Sequence, residues 1–151
     1  MNVVKQLLSN QVLIAALLAW TAAQLLKLPM DYIINHDWDW QVLFSPGGMP
    51  SSHSAISTAA TLAIGLFHGF DTPLFALSVT LTMIVIYDAI SVRHEAGIHA
   101  KWLNLILDEV FTSSKIPKKK LREMLGHTPF EAIAGITLGI ITTFLVGLFC
   151  R

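Results

Sequence analysis

Gly47-Gly48-Met49-Pro50-Ser51-Ser52-His53 places two glycines, two serines and a histidine within one short segment. Glycines let a backbone come close to a ligand, and serines at a helix start offer N–H and O–H donors together. That arrangement suits an anion such as phosphate. His53 adds a titratable proton donor beside it. The same residues also suit a tight re-entrant turn with a serine cap and a structural histidine, and the segment alone does not separate the two. A second segment holds Asp88, Arg93, His94, Glu95 and His99. Arginine is the side chain best shaped to clamp phosphate oxygens, although Arg93 could equally reach along the membrane interface. On an unbroken helix Arg93 and His99 would point to different faces. Gly97 lies between them and could mark a break. His94 reads as a surface residue. A third segment brings Gly126, His127, Thr128 and Glu131 together.

Each segment sits at the end of an apolar stretch. The stretches 12–28, 54–70, 73–91 and 129–149 can each cross a bilayer, which takes about 20 mostly apolar residues. The composition agrees: 54% of residues are hydrophobic and 13% charged, with a mean hydropathy of +0.61. A soluble domain carries about a quarter charged residues. The expected fold is therefore all-α, a polytopic transmembrane helical bundle of about four spans plus an interfacial or re-entrant segment. It forms one integral membrane domain over residues 1–151. Ionisable groups at membrane depth are costly and mark a site by default. A formal net charge of +0 leaves no global field to attract nucleic acid.

Helix starts are well marked. Thr72-Pro73 reads as an N-cap followed by proline at the first helical position. Thr128-Pro129-Phe130-Glu131 reads as a capping box, and Ser51 or Ser52 can cap the second stretch. Residues 69–72 leave room only for a tight antiparallel hairpin. Residues 29–50 are expected to form a polar and aromatic connection, with Trp38 and Trp40 at interfacial depth. Residues 92–110 extend the third helix or lie along the surface, and 116–122 form a basic turn. The N-terminal region lacks the shape of a signal peptide, so the first stretch is expected to be retained. The lone cysteine, Cys150, excludes an internal disulfide and is expected to be inert.

Four spans would put both termini on one side and the long connections on the other. Lys27, Arg93, Lys101, Lys115, Lys118, Lys119, Lys120 and Arg122 fall on the connection side, 8 of the 10 Lys and Arg. Lys5 and Arg151 fall opposite. The positive-inside rule then makes the connection side cytoplasmic and the termini external in a multi-pass cell-membrane protein. The Lys118-Lys119-Lys120 triplet suits an anchor to anionic headgroups.

Pro50-Ser51-Ser52-His53, and Arg93 with five residues before His99, resemble the second and third motifs of the PAP2 (type 2 phosphatidic acid phosphatase) and vanadium haloperoxidase superfamily. The whole chain looks more closely like the small divergent PAP2 membrane proteins. The shared features are the segment from Gly47 to Ala55, Tyr87-Asp88-Ala89 ahead of an arginine, and Gly126-His127-Thr128-Pro129-Phe130-Glu131 before the last helix. The resemblance covers roughly residues 24–139. It implies a phosphatase in which His53 protonates the leaving oxygen, Arg93 holds phosphate, and His99 attacks phosphorus to form a phospho-enzyme. Asp88 joins these as a catalytic candidate. Lys27, Gly48, Ser51, Ser52, His127 and Glu131 are expected to surround the phosphate, and no metal is required. The chain departs from the superfamily in three places. The aspartate expected four residues after the nucleophile is Leu103, the residue before Arg93 is Val92, and no arginine lies between Lys27 and Ser51. Asp88, Glu95 or Glu131 would have to supply the acid.

The expected function is hydrolysis of a lipid phosphate monoester at the cytoplasmic interface, with membrane lipids as surroundings. Two other classes compete. Asp88, Glu95, Glu131 and the histidines could bind Mg²⁺ or Mn²⁺ and act on a lipid phosphate or diphosphate. A non-catalytic protein could bind or transport a lipid phosphate, although the sequence holds no inverted repeat. Gly135 and Gly139 have the spacing that permits close helix contact, within the chain or between copies. The small size of the chain favours a homodimer.

Overall fold

The computed structural model describes residues 2–36, 38, 40–44, 47–110, 120, 121 and 126–149. Most of them lie in six α-helices: α1 (Val3–Leu8), α2 (Gln11–Asn35), α3 (Ser52–His68), α4 (Pro73–Tyr87), α5 (Arg93–Val110) and α6 (Pro129–Phe149). A 3₁₀ turn, Trp40–Phe44, follows α2, and a π-helical segment, Asp88–Val92, joins α4 to α5. No strand occurs among the described residues. The chain is an all-α membrane bundle. Gln11–Ile33, Pro73–Val110 and Pro129–Phe149 are long and apolar enough to cross a membrane. With 17 residues, α3 spans about 25 Å, the short end of the range for a crossing.

Local chemistry sets the helix starts. Ser51 caps α3 and Thr72 caps α4, each side chain accepting from the N–H three residues on. Thr128 and Glu131 close a reciprocal capping box at α6, both bonds 3.3 Å long. Asn10 caps α2 with a bond from Leu13 N–H of 3.1 Å.

Two expectations are corrected. The first helix does not stop at residue 28: α2 runs through Pro29 to Asn35. Proline removes a single backbone donor, and helices in a membrane tolerate that. The turn comes at His36, which takes a left-handed conformation with φ 56° and donates its N–H to Tyr32 O. Beyond it Gln24 Nε2 holds the 3₁₀ turn through Leu43 O at 3.0 Å. Nor does Gly97 break the helix. It is buried inside a continuous α5, and the irregularity lies earlier, in the π-helical segment. Among the described residues of the basic turn, Lys120 pairs with Asp108 at 3.1 Å, and Asn104 holds both backbone groups of Leu121. Lys115, Lys118, Lys119, Arg122, Cys150 and Arg151 lie outside the described residues.

The core is small-residue packing. Ala19, Ala23, Ala55 and Ala59 form one buried cluster, and Ala15, Ala63 and Val146 another. Large apolar side chains such as Leu17, Leu25, Leu77, Leu81, Ile133 and Phe144 face outward. Lipid is as apolar as leucine, so burying large side chains supplies no drive for helix association. Close backbone approach does. α3 packs against α2, α4 and α6. A Cβ at Gly135 would overlap Ser51 O, and one at Gly139 would stand 2.6 Å from Ala55 O. The Gly135–Gly139 face is thus occupied by α3 of the same chain, and its spacing gives no argument for a homodimer. Gly139→Leu is expected to lower stability by about 1–3 kcal/mol, the usual cost of overpacking. Thermal unfolding in detergent checks this. Gly147→Ala, where the nearest atom is 3.9 Å away, should stay within roughly 0.5 kcal/mol of the parent.

Candidate functional site

The ends of α2, α3, α4 and α6 that meet on one face carry the polar residues. Lys27 lies in the last part of α2, Ser51 to His53 open α3, Asp88 follows α4, and His127 to Glu131 open α6. Three backbone contacts fix their relation. Ser51 N–H donates to Glu131 O at 3.0 Å, tying the glycine loop to α6. His127 N–H donates to Ala89 O at 2.9 Å, tying the start of α6 to the π-helical segment. Such segments are frequent at functional sites. Gly126 has φ 98°, and a Cβ there would overlap the backbone of Arg93 and His94. Only glycine lets the chain pass that close to α5.

At the centre, His127 Nδ1 lies 2.9 Å from Glu131 Oε2. A carboxylate can only accept, so this contact places a proton on Nδ1; in the neutral ring Nε2 then carries the lone pair. The His127 side chain is only 4% exposed. Glu131 also accepts from Thr128 N–H and attracts the buried Lys27. The His53 ring is exposed and stands 6.2 Å from that of His127, centroid to centroid. Arg93, His127, Lys27 and Asp88 all act on it electrostatically. Arg93 Nε donates to Asp88 Oδ2 at 2.6 Å, and both side chains stay partly exposed.

The sequence-derived set therefore divides. Lys27, Asp88, Arg93, His53, His127 and Glu131 come together. Ser51 is buried, and its hydroxyl accepts from Ser54 N–H and Ser54 Oγ–H. That is the serine-cap role, and it leaves the Ser51 hydroxyl proton available. Ser52 is buried at the first residue of α3, and Gly48 sits in the loop with φ 82°. His99 does not join them. It is exposed on the regular turns of α5, six residues beyond Arg93 and turned to another face. Glu95 is likewise exposed on α5. Among the described residues, no three His, Cys, Asp or Glu side chains gather as metal ligands.

The chain matches the Divergent PAP2 family over residues 8–142. It belongs to that family. The match spans every residue of the cluster. The chain is also 39% identical over 155 residues to the uncharacterized membrane protein YuiD of Bacillus subtilis (strain 168), covering 95% of this chain and 98% of that protein. No solved structure matches the chain. For a divergent PAP2 protein the informative feature is the His127–Glu131 pair, whose members the sequence offers as candidates around the phosphate without pairing them with each other. The signal was present: an acid four residues after a histidine, the spacing that His99 and Leu103 lack. Vanadate binding to the detergent-solubilised protein, followed by ⁵¹V NMR, is expected to weaken about 10–100-fold in Arg93→Ala, since a hydrogen bond to a charged group contributes roughly 1.5–3 kcal/mol. His99→Ala should change it less than about twofold.

Proposed function

We propose that this protein is a membrane phosphatase that hydrolyses a lipid phosphate monoester by a PAP2-like histidine mechanism. The observation that supports the reading is the His127 Nδ1–Glu131 bond, which in the neutral ring orients Nε2 to serve as a nucleophile near His53. An imidazole held by an acid at one nitrogen and reacting at the other is the general pattern of an oriented histidine. His127 takes the nucleophile's role in place of His99 because it has both the acidic partner and the neighbours.

In the first step His127 Nε2 attacks phosphorus. The P–N bond forms, the P–O bond to the lipid breaks, and His53 gives its proton to the leaving oxygen. In the second, water attacks the phospho-histidine while His53 takes a water proton. The P–N bond breaks, and inorganic phosphate leaves. Arg93, Lys27 and the N–H groups at the start of α3 offset the charge on the phosphate oxygens. Asp88 positions Arg93. The phosphate monoester of a glycerolipid or of a prenyl chain fits this chemistry. The 8-to-2 division of Lys and Arg supports a cytoplasmic site with both termini outside.

Purified protein in detergent should release phosphate from one or more members of a lipid phosphate panel, with vanadate inhibiting and a chelator leaving the rate unchanged. His53→Ala and His127→Ala should each lower kcat by at least about 10²-fold. Full activity in His127→Ala would overturn the assignment, loss of activity in chelator would favour a metal mechanism, and binding without phosphate release would make the protein a carrier.

A further inference from the structure

A groove of about 430 Å³ runs along the outside of the bundle between α2 and α6. Its walls are Leu26 and Met30 of α2, Met49 and Pro50 of the loop, and an α6 stripe from Phe130 to Ile141. The volume falls in the roughly 300–1,000 Å³ range of small-molecule sites. The lining is apolar, and the hydroxyl of Thr137 on the stripe is already committed to Ile133 O at 2.9 Å.

Two features connect this groove to the polar cluster. Each wall borders it along the chain: Leu26 is next to Lys27, Met49 and Pro50 lead into Ser51, and Phe130 is next to Glu131 at the start of α6. The depth also fits. From Phe130 to Ile141 the helix axis covers about 16 Å, near half of the roughly 30 Å hydrocarbon thickness. With the polar cluster at the interface, the groove's length matches about one leaflet.

We propose that the groove seats a hydrocarbon chain of the phosphate-bearing lipid, holding its headgroup over the His53–His127 pair. The substrate would then be a bilayer-resident lipid phosphate that enters sideways from one leaflet and not a soluble phosphate ester. The chain is in hydrocarbon before and after binding, so the groove adds little burial energy. Its contribution is alignment, where a misplacement of about 1 Å can cost about 10²-fold in rate. The proposal rests on the phosphatase reading, and its test has a readout of its own.

The test reconstitutes the full chain in phosphatidylcholine vesicles with a phosphate monoester lipid that carries a diazirine in mid-chain. After illumination, adducts should concentrate on residues 26–30 and 130–141. They should exceed those from the same lipid lacking phosphate by about tenfold or more, given the alignment effect, and excess unlabelled lipid phosphate should compete. Labelling spread evenly over α4 and α6, or indifferent to the phosphate, would overturn the proposal. So would disulfide-linked dimers of an Ile133→Cys variant in the membrane, which would put a second copy in the groove. As a second measurement, Thr137→Trp should lower the ratio of kcat/KM for a long-chain lipid phosphate over a water-soluble short-chain phosphate ester by about tenfold. An unchanged ratio would overturn it. Phosphate-dependent labelling without phosphate release would instead sink the phosphatase reading and leave the chain seat standing.

Discussion

The close approach of α3 and α6 is the constraint on which the rest of the molecule depends. Gly135 and Gly139 let the α6 backbone lie directly against the carbonyls of Ser51 and Ala55. In lipid this contact cannot be replaced by larger apolar side chains, because leucine against leucine gains nothing over leucine against an acyl chain. Alanines do the same for α2 against α3. Once the helices are this close, the first turns of α3 and α6 have to share backbone hydrogen bonds, as Ser51 and Glu131 do.

The polar face follows from that geometry. Lys27, His53, Asp88, Arg93, His127 and Glu131 would each be expensive alone near hydrocarbon. Together they compensate one another: Glu131 serves His127, Thr128 and Lys27, and Asp88 serves Arg93. Of the charged side chains that act on His53, Lys27 and Arg93 are cationic and only Asp88 is anionic, an electrostatic setting that favours an anion there.

Much of this was legible in the sequence. Caps at Thr72 and Thr128 depend on contacts within a single turn, so local chemistry shows them. The gathering of polar residues on one face followed from which ends of the apolar stretches carried them. What the sequence hid was long-range or dual-purpose. Pro29 looks like a stop signal, yet the helix around it carries the chain onward to Asn35. Motif spacing from Arg93 leads to His99, but bringing both to one face would need a break at Gly97, where α5 is continuous. Glu131 reads as a capping-box residue and is one, while the same carboxylate oxygen also takes His127 Nδ1–H. The linear reading offers Glu131 as a cap and as a candidate acid, but it does not show which histidine that acid serves.

The long α4–α5 rod has a mechanical consequence. α4 buries no residue. It is held to α3 by hydroxyl contacts, Thr61 to Thr82 at 2.8 Å, Thr61 to Ser78 O at 3.1 Å and Thr82 to Ser57 O at 3.1 Å. Its continuation to Val110 makes 38 residues, about 57 Å of helix, nearly twice the hydrocarbon thickness. Lys27, His53, His127 and Glu131 sit on the tightly packed helices, whereas Asp88 and Arg93 ride on this rod. A tilt of the rod about its hydroxyl pivot would strain the His127–Ala89 bond and the close pass of Gly126 against Arg93 and His94. Arg93 is therefore tied to the start of α6 through backbone alone, so the place of the guanidinium hangs on one crossing that a glycine permits.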